Sequence, residues 1–428
     1  MKLKTNYIVF WLGQAVSQLG SSMTTFALTI WVYEQSKSAM TVSFMAFCSY
    51  VPYILVSIFA GTFVDRVSKK KILIVSDTLA AVCTISILFS VYSNHLTLTQ
   101  VYIVNVLIGF MNAFQSPAAA VFTGLLITDG NYEKISGLNS FSSNLIQVVS
   151  PVISGFLVGI CGIFVVLAVD LVTFLFCMGT MLFLKVEEKT EGVKRSKTRL
   201  RKRGREELAF LRKEKGIFHL MLHMALLNFF SRLTYENILS PMILARSGGN
   251  TAVFGLVSGV LGIGGILGGL MVTVRKCRKK PHQMIYLSAG ISFLLGDLFM
   301  GAGRNGISWS VAGFFASFPI PFVMAGQSTL LYRSVPKHIQ GRIFAIRNGI
   351  QYSTIPAGLL LGGYLADHVF EPFMASDQKA AVCFQYLTGK GPGSGMAVMF
   401  LCTGILGALS SAIGYRNRAI RELENRFQ

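Results

Sequence analysis

Twelve apolar runs, each close to 20 residues, constrain this chain more than any other feature of its sequence. They lie near residues 7–32, 41–63, 72–92, 98–123, 138–160, 163–184, 217–245, 252–274, 283–302, 307–331, 343–366 and 396–415. A helix rises about 1.5 Å per residue, so runs of this length match a hydrocarbon layer of about 30 Å. Backbone groups find no water in that layer, and a continuous apolar run satisfies them within itself only as a helix. The expected fold is therefore all-α, with twelve transmembrane helices. Charged residues make up 14% of the chain and hydrophobic residues 52%, whereas soluble domains carry about 25% charged residues. An even number of spans puts both termini on one face.

The charge distribution says which face. The formal net charge is +20, which would suit nucleic acid if it formed a patch. If the first residue is cytoplasmic, 33 of the 39 Lys and Arg fall on inside segments or, as Arg347, at the inner end of a run, five fall outside (Lys37, Arg246, Arg304, Lys379, Lys390), and Arg232 lies within a span. That asymmetry is the positive-inside pattern, so the basicity reports topology and no nucleic-acid partner is expected. The expected location is the cell inner (cytoplasmic) membrane, multi-pass, with both termini cytoplasmic. The amino-terminal run continues past any cleavage point and reads as the first span. The 7 cysteines are scattered without CxxC or metal spacing, so no metal site and no functional thiol are expected.

Residues 184–216 carry thirteen cations and six acids. This is the one long polar segment on the inside, either a solvated tether or a surface helix against lipid headgroups. It divides the chain into residues 1–184, a basic linker 185–216, and residues 217–428. A shift of 204 residues places Gly137 on Gly341 and Gln147 on Gln351, with Pro151 and Pro356 one residue out of step. Two pseudo-symmetric six-helix bundles are expected, an arrangement that puts substrate near the midplane. Gly389 and Lys390 in the last outer loop lack the order of a phosphate-binding loop, and no enzyme activity is expected.

The stretch GTFVDRVSKKK places Gly61, Asp65, Arg66, Lys69 and Lys70 between the second and third spans. Gly61 lets a helix end close to a neighbour, and Asp65 suits a helix amino terminus, whose free N–H groups attract an anion. This motif resembles the signature of the major facilitator superfamily, and with the twelve runs the resemblance covers essentially the whole chain. SPVISG at 150–155, VPKHIQGR at 335–342 and FEPFMAS in the last outer loop are similar to the drug-exporting branch that contains macrolide efflux proteins. The resemblance implies a monomeric antiporter that exports amphiphilic small molecules in exchange for protons, driven by the proton gradient without a cofactor. It also implies a conformational latch in which Gly61, Asp65, Arg66 and Lys70 meet the start of the eleventh span at Gly341 and Arg342. Exporters of siderophores or other secondary metabolites, and a sensor or scaffold of the same fold, stay open as alternatives.

Charges inside spans are expensive and mark function by default. Arg232 and Glu236 stand four residues apart on one helical face. Glu236 is either a proton-coupling or substrate-contacting acid or half of a static ion pair. Asp170 in the sixth span and Asp77 in the third are further proton-coupling candidates, each equally able to cap or pair for stability. Asp297 is placed near the outer surface, in water. Many proton-coupled exporters carry an arginine in the fourth span; here Asn105, Asn112 and Gln115 occur without a cation.

Polar residues recur at helical spacing along the spans that line the path in this family. Gln14, Gln18, Asn112, Gln115, Asn228 and Gln327 are the expected substrate-cavity amides, or else hydrogen bonds between helices. Phenylalanines interleave with them and suit large, weakly polar molecules. Pro151 and Gly155 mark a helix bend. In the eighth span, Gly255/Gly259 and Gly264/Gly268 are small-residue pairs for close helix packing.

Overall fold

The computed structural model describes residues 5–64, 66–126, 132–184, 210–274, 280–336 and 339–425, and every regular element among them is helical. The first five are α1 (Thr5–Ser36), α2 (Ala39–Val64), α3 (Lys69–Tyr92), α4 (Leu98–Leu126) and α5 (Tyr132–Phe183). After them come α6 (Lys215–Thr234), α7 (Leu239–Arg246), α8 (Thr251–Val274) and α9 (Pro281–Ile291), which passes through a π-helical turn (Ser292–Asp297) into α10 (Leu298–Ala302). The rest are α11 (Gly306–Ser317), α12 (Ile320–Ser334), α13 (Gln340–Leu365), α14 (Glu371–Met374), α15 (Lys379–Thr388), α16 (Ser394–Arg416) and α17 (Arg418–Asn425).

Local chemistry sets many of these limits. Ser68 caps α3 by accepting the Lys71 N–H, and Asn305 with Ser308 forms a reciprocal box at the start of α11. Gly162 breaks α5 at φ 76°, a left-handed value that glycine adopts without a steric cost. The fifth and sixth apolar runs are thus two arms joined there. Pro151 lies inside the first arm, and Gly162 is the residue of α5 with non-helical dihedrals.

Nine helical segments are long and apolar enough to cross a membrane among the described residues. One of them, Phe141–Phe183, contains both runs that meet at Gly162. The helices of the first and eleventh runs, α1 and α13, carry more polar residues and lie outside the nine. Large apolar side chains also cover the outside: Phe183 is 87% exposed and Phe89 70%, as expected where lipid is the solvent.

By contact the chain forms two units. The first comprises the described residues of Met1–Lys37, Phe44–Lys194 and Gly249–Gly259, the second those of Ser38–Ser43, Arg195–Gly248 and Val260–Gln428. In the first, Tyr7, Phe10, Leu73, Phe122 and Met181 form an apolar core. In the second, Met221, Ile285, Tyr286, Leu330 and Ile343 pack with Ile420 and Leu423 of α17.

The glycine pairs of α8 act as expected. Gly255 meets Pro151 and Gly155 of α5, Gly259 meets Val152, and Gly264 and Gly268 meet Phe314, Ser317 and Phe318. The Thr251 hydroxyl donates to the Gly155 carbonyl at 2.8 Å.

Asp297 departs from its expected place in water. It is 1% exposed on the π-helical turn and accepts a hydrogen bond from the Thr403 hydroxyl at 2.9 Å. Distance along the run gave its height in the membrane but not the α16 helix that covers it.

Candidate functional site

Gly13 and Gly20 lie two turns apart on α1, and a side chain at either would overlap the second arm of α5 at Thr180 or Thr173. Their bareness lets the two helices close into a seam. Along it α1 presents Gln14, Ser17, Ser21 and Thr24, and the α5 arm presents Asp170, Thr173, Cys177 and Thr180, both at helical three-and-four spacing. The seam holds two buried carboxyl groups of the first unit.

Asp77 of α3 is 8% exposed. Its Oδ1 accepts from Gln115 Nε2 of α4 at 2.6 Å, and its Oδ2 accepts from Gln14 Nε2 at 3.3 Å and from the Cys177 thiol at 3.9 Å. The same Gln14 nitrogen donates to Cys177 Sγ at 3.3 Å, and Ser17 hydrogen-bonds that thiol. Asp170 is 5% exposed and sits among three hydroxyls. Ser21 donates to it at 3.2 Å, Thr24 at 3.0 Å and Thr84 of α3 at 3.1 Å.

No cation is among these partners. An isolated ionised carboxylate is costly in hydrocarbon, and amide and hydroxyl donors offset part of that cost. Hydroxyls both donate and accept, and a side-chain amide offers N–H₂ or C=O according to its rotation. Both shells can therefore serve a carboxylate or a neutral acid.

The six cavity candidates separate in this structure. Gln14 and Gln115 are engaged with Asp77. Gln18 and Asn112 are exposed. Asn228 donates to the Met224 carbonyl of its own helix at 3.0 Å, and Gln327 is buried with no partner for its amide nitrogen among the described residues.

In the second unit Arg232 and Glu236 form the ion pair that their spacing suggests, 24% and 34% exposed. Arg232 lies in the last turn of α6, and Glu236 lies in the break between α6 and α7. Gly358 and Gly362 of α13 approach this stretch closely. There Asn237 donates at 2.8 Å to both the Leu359 carbonyl and the Ser43 hydroxyl.

Of the latch candidates, Asp65 lies outside the described residues, and for Gly61, Gly341 and Arg342 only the helical backbone is described. Arg66 is exposed, and Lys70 Nζ donates to the Leu184 carbonyl at 2.7 Å.

Sequence reasoning missed Cys177, Thr24 and Thr84 as partners. The signal for Cys177 was present in the seven-residue step from Asp170, which places the two on one face of the α5 arm.

The sequence pattern of the Major Facilitator Superfamily matches residues 10–370. Macrolide efflux protein A of Streptococcus pyogenes is 26% identical over 372 residues, covering 86% of this chain and 90% of that protein. Multidrug efflux pump Tap of Mycolicibacterium fortuitum is 22% identical over 375 residues, covering 81% of this chain and 86% of that protein. The crystal structure of the nucleoside transporter NupG superposes with a TM-score of 0.70 at 13% identity, covering 97% of this chain and all of that one.

Proposed function

Because this chain belongs to the Major Facilitator Superfamily, we propose that it is a multi-pass transporter that exports amphiphilic small molecules, macrolide-like compounds foremost, in exchange for protons. The names of its relatives support the substrate class, since two are efflux proteins for macrolides and for multiple drugs. Both termini face the cytoplasm in this proposal, because that orientation puts nearly all the cations inside. Residues 1–184 and 217–428 then serve as the two bundles, joined by the basic linker 185–216. Gly61, Asp65, Arg66 and Lys70 with Gly341 and Arg342 are its conformational latch.

One observation carries the coupling. Gln14 and Gln115, expected to face substrate, hold the buried Asp77 carboxyl from two helices. A hydrogen-bond donor of the substrate that joins these amides at the carboxyl favours its ionised form, and the proton leaves. Release of the substrate removes that donor and favours the return of a proton. The Arg232–Glu236 pair adds a second titratable carboxyl in the other unit.

The test is an everted-vesicle assay with a panel of hydrophobic compounds and an imposed pH gradient. Accumulation of a macrolide that collapses with a protonophore, and falls in Glu236→Gln, is the expected result. Accumulation of a siderophore alone would replace the substrate class, and no pH-driven accumulation of any compound would remove the antiport reading.

A further inference from the structure

Asp77 and Asp170 stand in one polar seam, at opposite depths. Asp77 is eight residues into α3 from Lys69, and Asp170 is eight residues past the break at Gly162. At about 1.5 Å per residue each lies roughly 12 Å from its helix end. The helix ends belong to opposite faces of the layer, because three crossings separate the loop before Lys69 from the loop at Gly162. On α1 their partners Gln14 and Thr24 are ten residues apart, or about 15 Å.

The interval is bridged by polar atoms. Asp77 touches Cys177, Cys177 hydrogen-bonds Ser17, and Ser21 touches Asp170. Ser17 and Ser21 are one helical turn apart, about 5–6 Å between their Cβ atoms, the span of one bridging water. The groups acting on Asp77 come from α1 (Gln14), α4 (Gln115) and the α5 arm (Cys177). Those acting on Asp170 come from α1 (Ser21, Thr24) and α3 (Thr84). Cys177 is the one titratable group among them.

We propose that Asp77 and Asp170 are two stations on a single proton path through the first unit, connected by Ser17, Cys177, Ser21 and one water. This rests on the antiport reading above and adds the route. A proton that arrives on the Asp170 carboxylate makes a neutral acid. The acid gives its proton to the Ser21 oxygen, which releases its own to the water. Ser17 and Cys177 repeat the exchange until Asp77 becomes the neutral acid. One O–H bond breaks at Asp170 and one forms at Asp77, and every intermediate group ends with as many hydrogens as it began with. Ser21, Ser17 and Cys177 are relay groups, since each accepts one proton and gives up another between the two carboxyls.

The experiment uses the purified full chain in proteoliposomes, with a macrolide as the probe. Two rates are measured for each variant: pH-driven uptake, and counterflow exchange without a pH gradient. Asp77→Asn and Asp170→Asn should each lower pH-driven uptake by about a hundredfold, the scale of losing a positioned proton carrier. Cys177→Ala should lower the ratio of pH-driven uptake to counterflow, and Cys177→Ser, which keeps a donor and acceptor, should restore it. Infrared difference spectra between acid and alkaline samples should show a carboxyl band that shrinks in each aspartate variant.

Wild-type rates of pH-driven uptake in Asp77→Asn or Asp170→Asn would overturn the path. So would a parallel fall of both rates in Cys177→Ala, because a structural role moves them together. If the wild-type chain itself shows counterflow but no pH-driven uptake, the antiport reading falls and the path falls with it. If only the variants keep their response, the path alone is lost. Should either aspartate variant fail to fold, the comparison of Cys177→Ala with Cys177→Ser still decides between the outcomes.

Discussion

Gly20→Ala probes the seam without removing a titratable group. A Cβ at Gly20 would overlap the Thr173 hydroxyl and stand 2.9 Å from Asp170 Oδ1 and 3.0 Å from Asp170 Cα. The hydroxyl can rotate away, but only by giving up its 2.7 Å bond to the Asp170 carbonyl. The Cα cannot rotate away, so the α5 arm must retreat by a few tenths of an ångström along the length of its contact with α1. Overpacking of this kind costs about 1–3 kcal/mol. The retreat also lengthens the bonds from Ser21 and Thr24 to Asp170, at 3.2 and 3.0 Å already ordinary or long for hydroxyl donors. The expected result is a lower melting temperature in detergent and slower pH-driven transport. Thr173→Ala in the same chain should recover part of the stability, since it removes the nearest obstacle. A Gly20→Ala chain that melts and transports like the wild type would refute the close packing of α1 on this arm.

Two further changes test the second unit. Asp367 accepts from the N–H groups of Ala39 at 3.0 Å and Met40 at 2.9 Å and from the Ser38 hydroxyl, capping the start of α2. Asp367→Ala removes all three at once and should cost about 2 kcal/mol in thermal unfolding, whereas Asp367→Asn keeps an acceptor and should cost less; equal melting of the two would count against the cap. Glu424 of α17 holds both the ring and the N–H of buried His282. Glu424→Ala leaves His282 short of partners and should expose α17 to protease, so an unchanged cleavage pattern would contradict the anchoring of that helix.

The sequence reveals depth and face, and rarely partners. Each of the twelve runs is helical for most of its length, with the seventh broken at 235–238 and the tenth at 318–319, and the small-residue pairs of α8 meet neighbours at each of their four positions. Arg232 and Glu236 pair as their spacing suggests because both ends of the contact lie on one stretch of chain. Asp77 is different: its partners lie 63 and 38 residues away in sequence, and no local pattern selects Gln14 and Gln115 over Gln18 and Asn112. The same holds for Asp297, whose burial depends on Thr403 more than a hundred residues later. The break at Gly162 was legible, because it falls in the two-residue interval between the fifth and sixth apolar runs.

The coupling of substrate to protons is tested most directly by adding a macrolide to the purified, lightly buffered protein and recording proton release over a series of starting pH values. The wild-type chain should release protons in proportion to the drug bound, and the Asp77→Asn, Asp170→Asn double variant should bind with little or no proton release. Saturable drug binding by the wild-type chain with no proton movement at any starting pH would contradict the account.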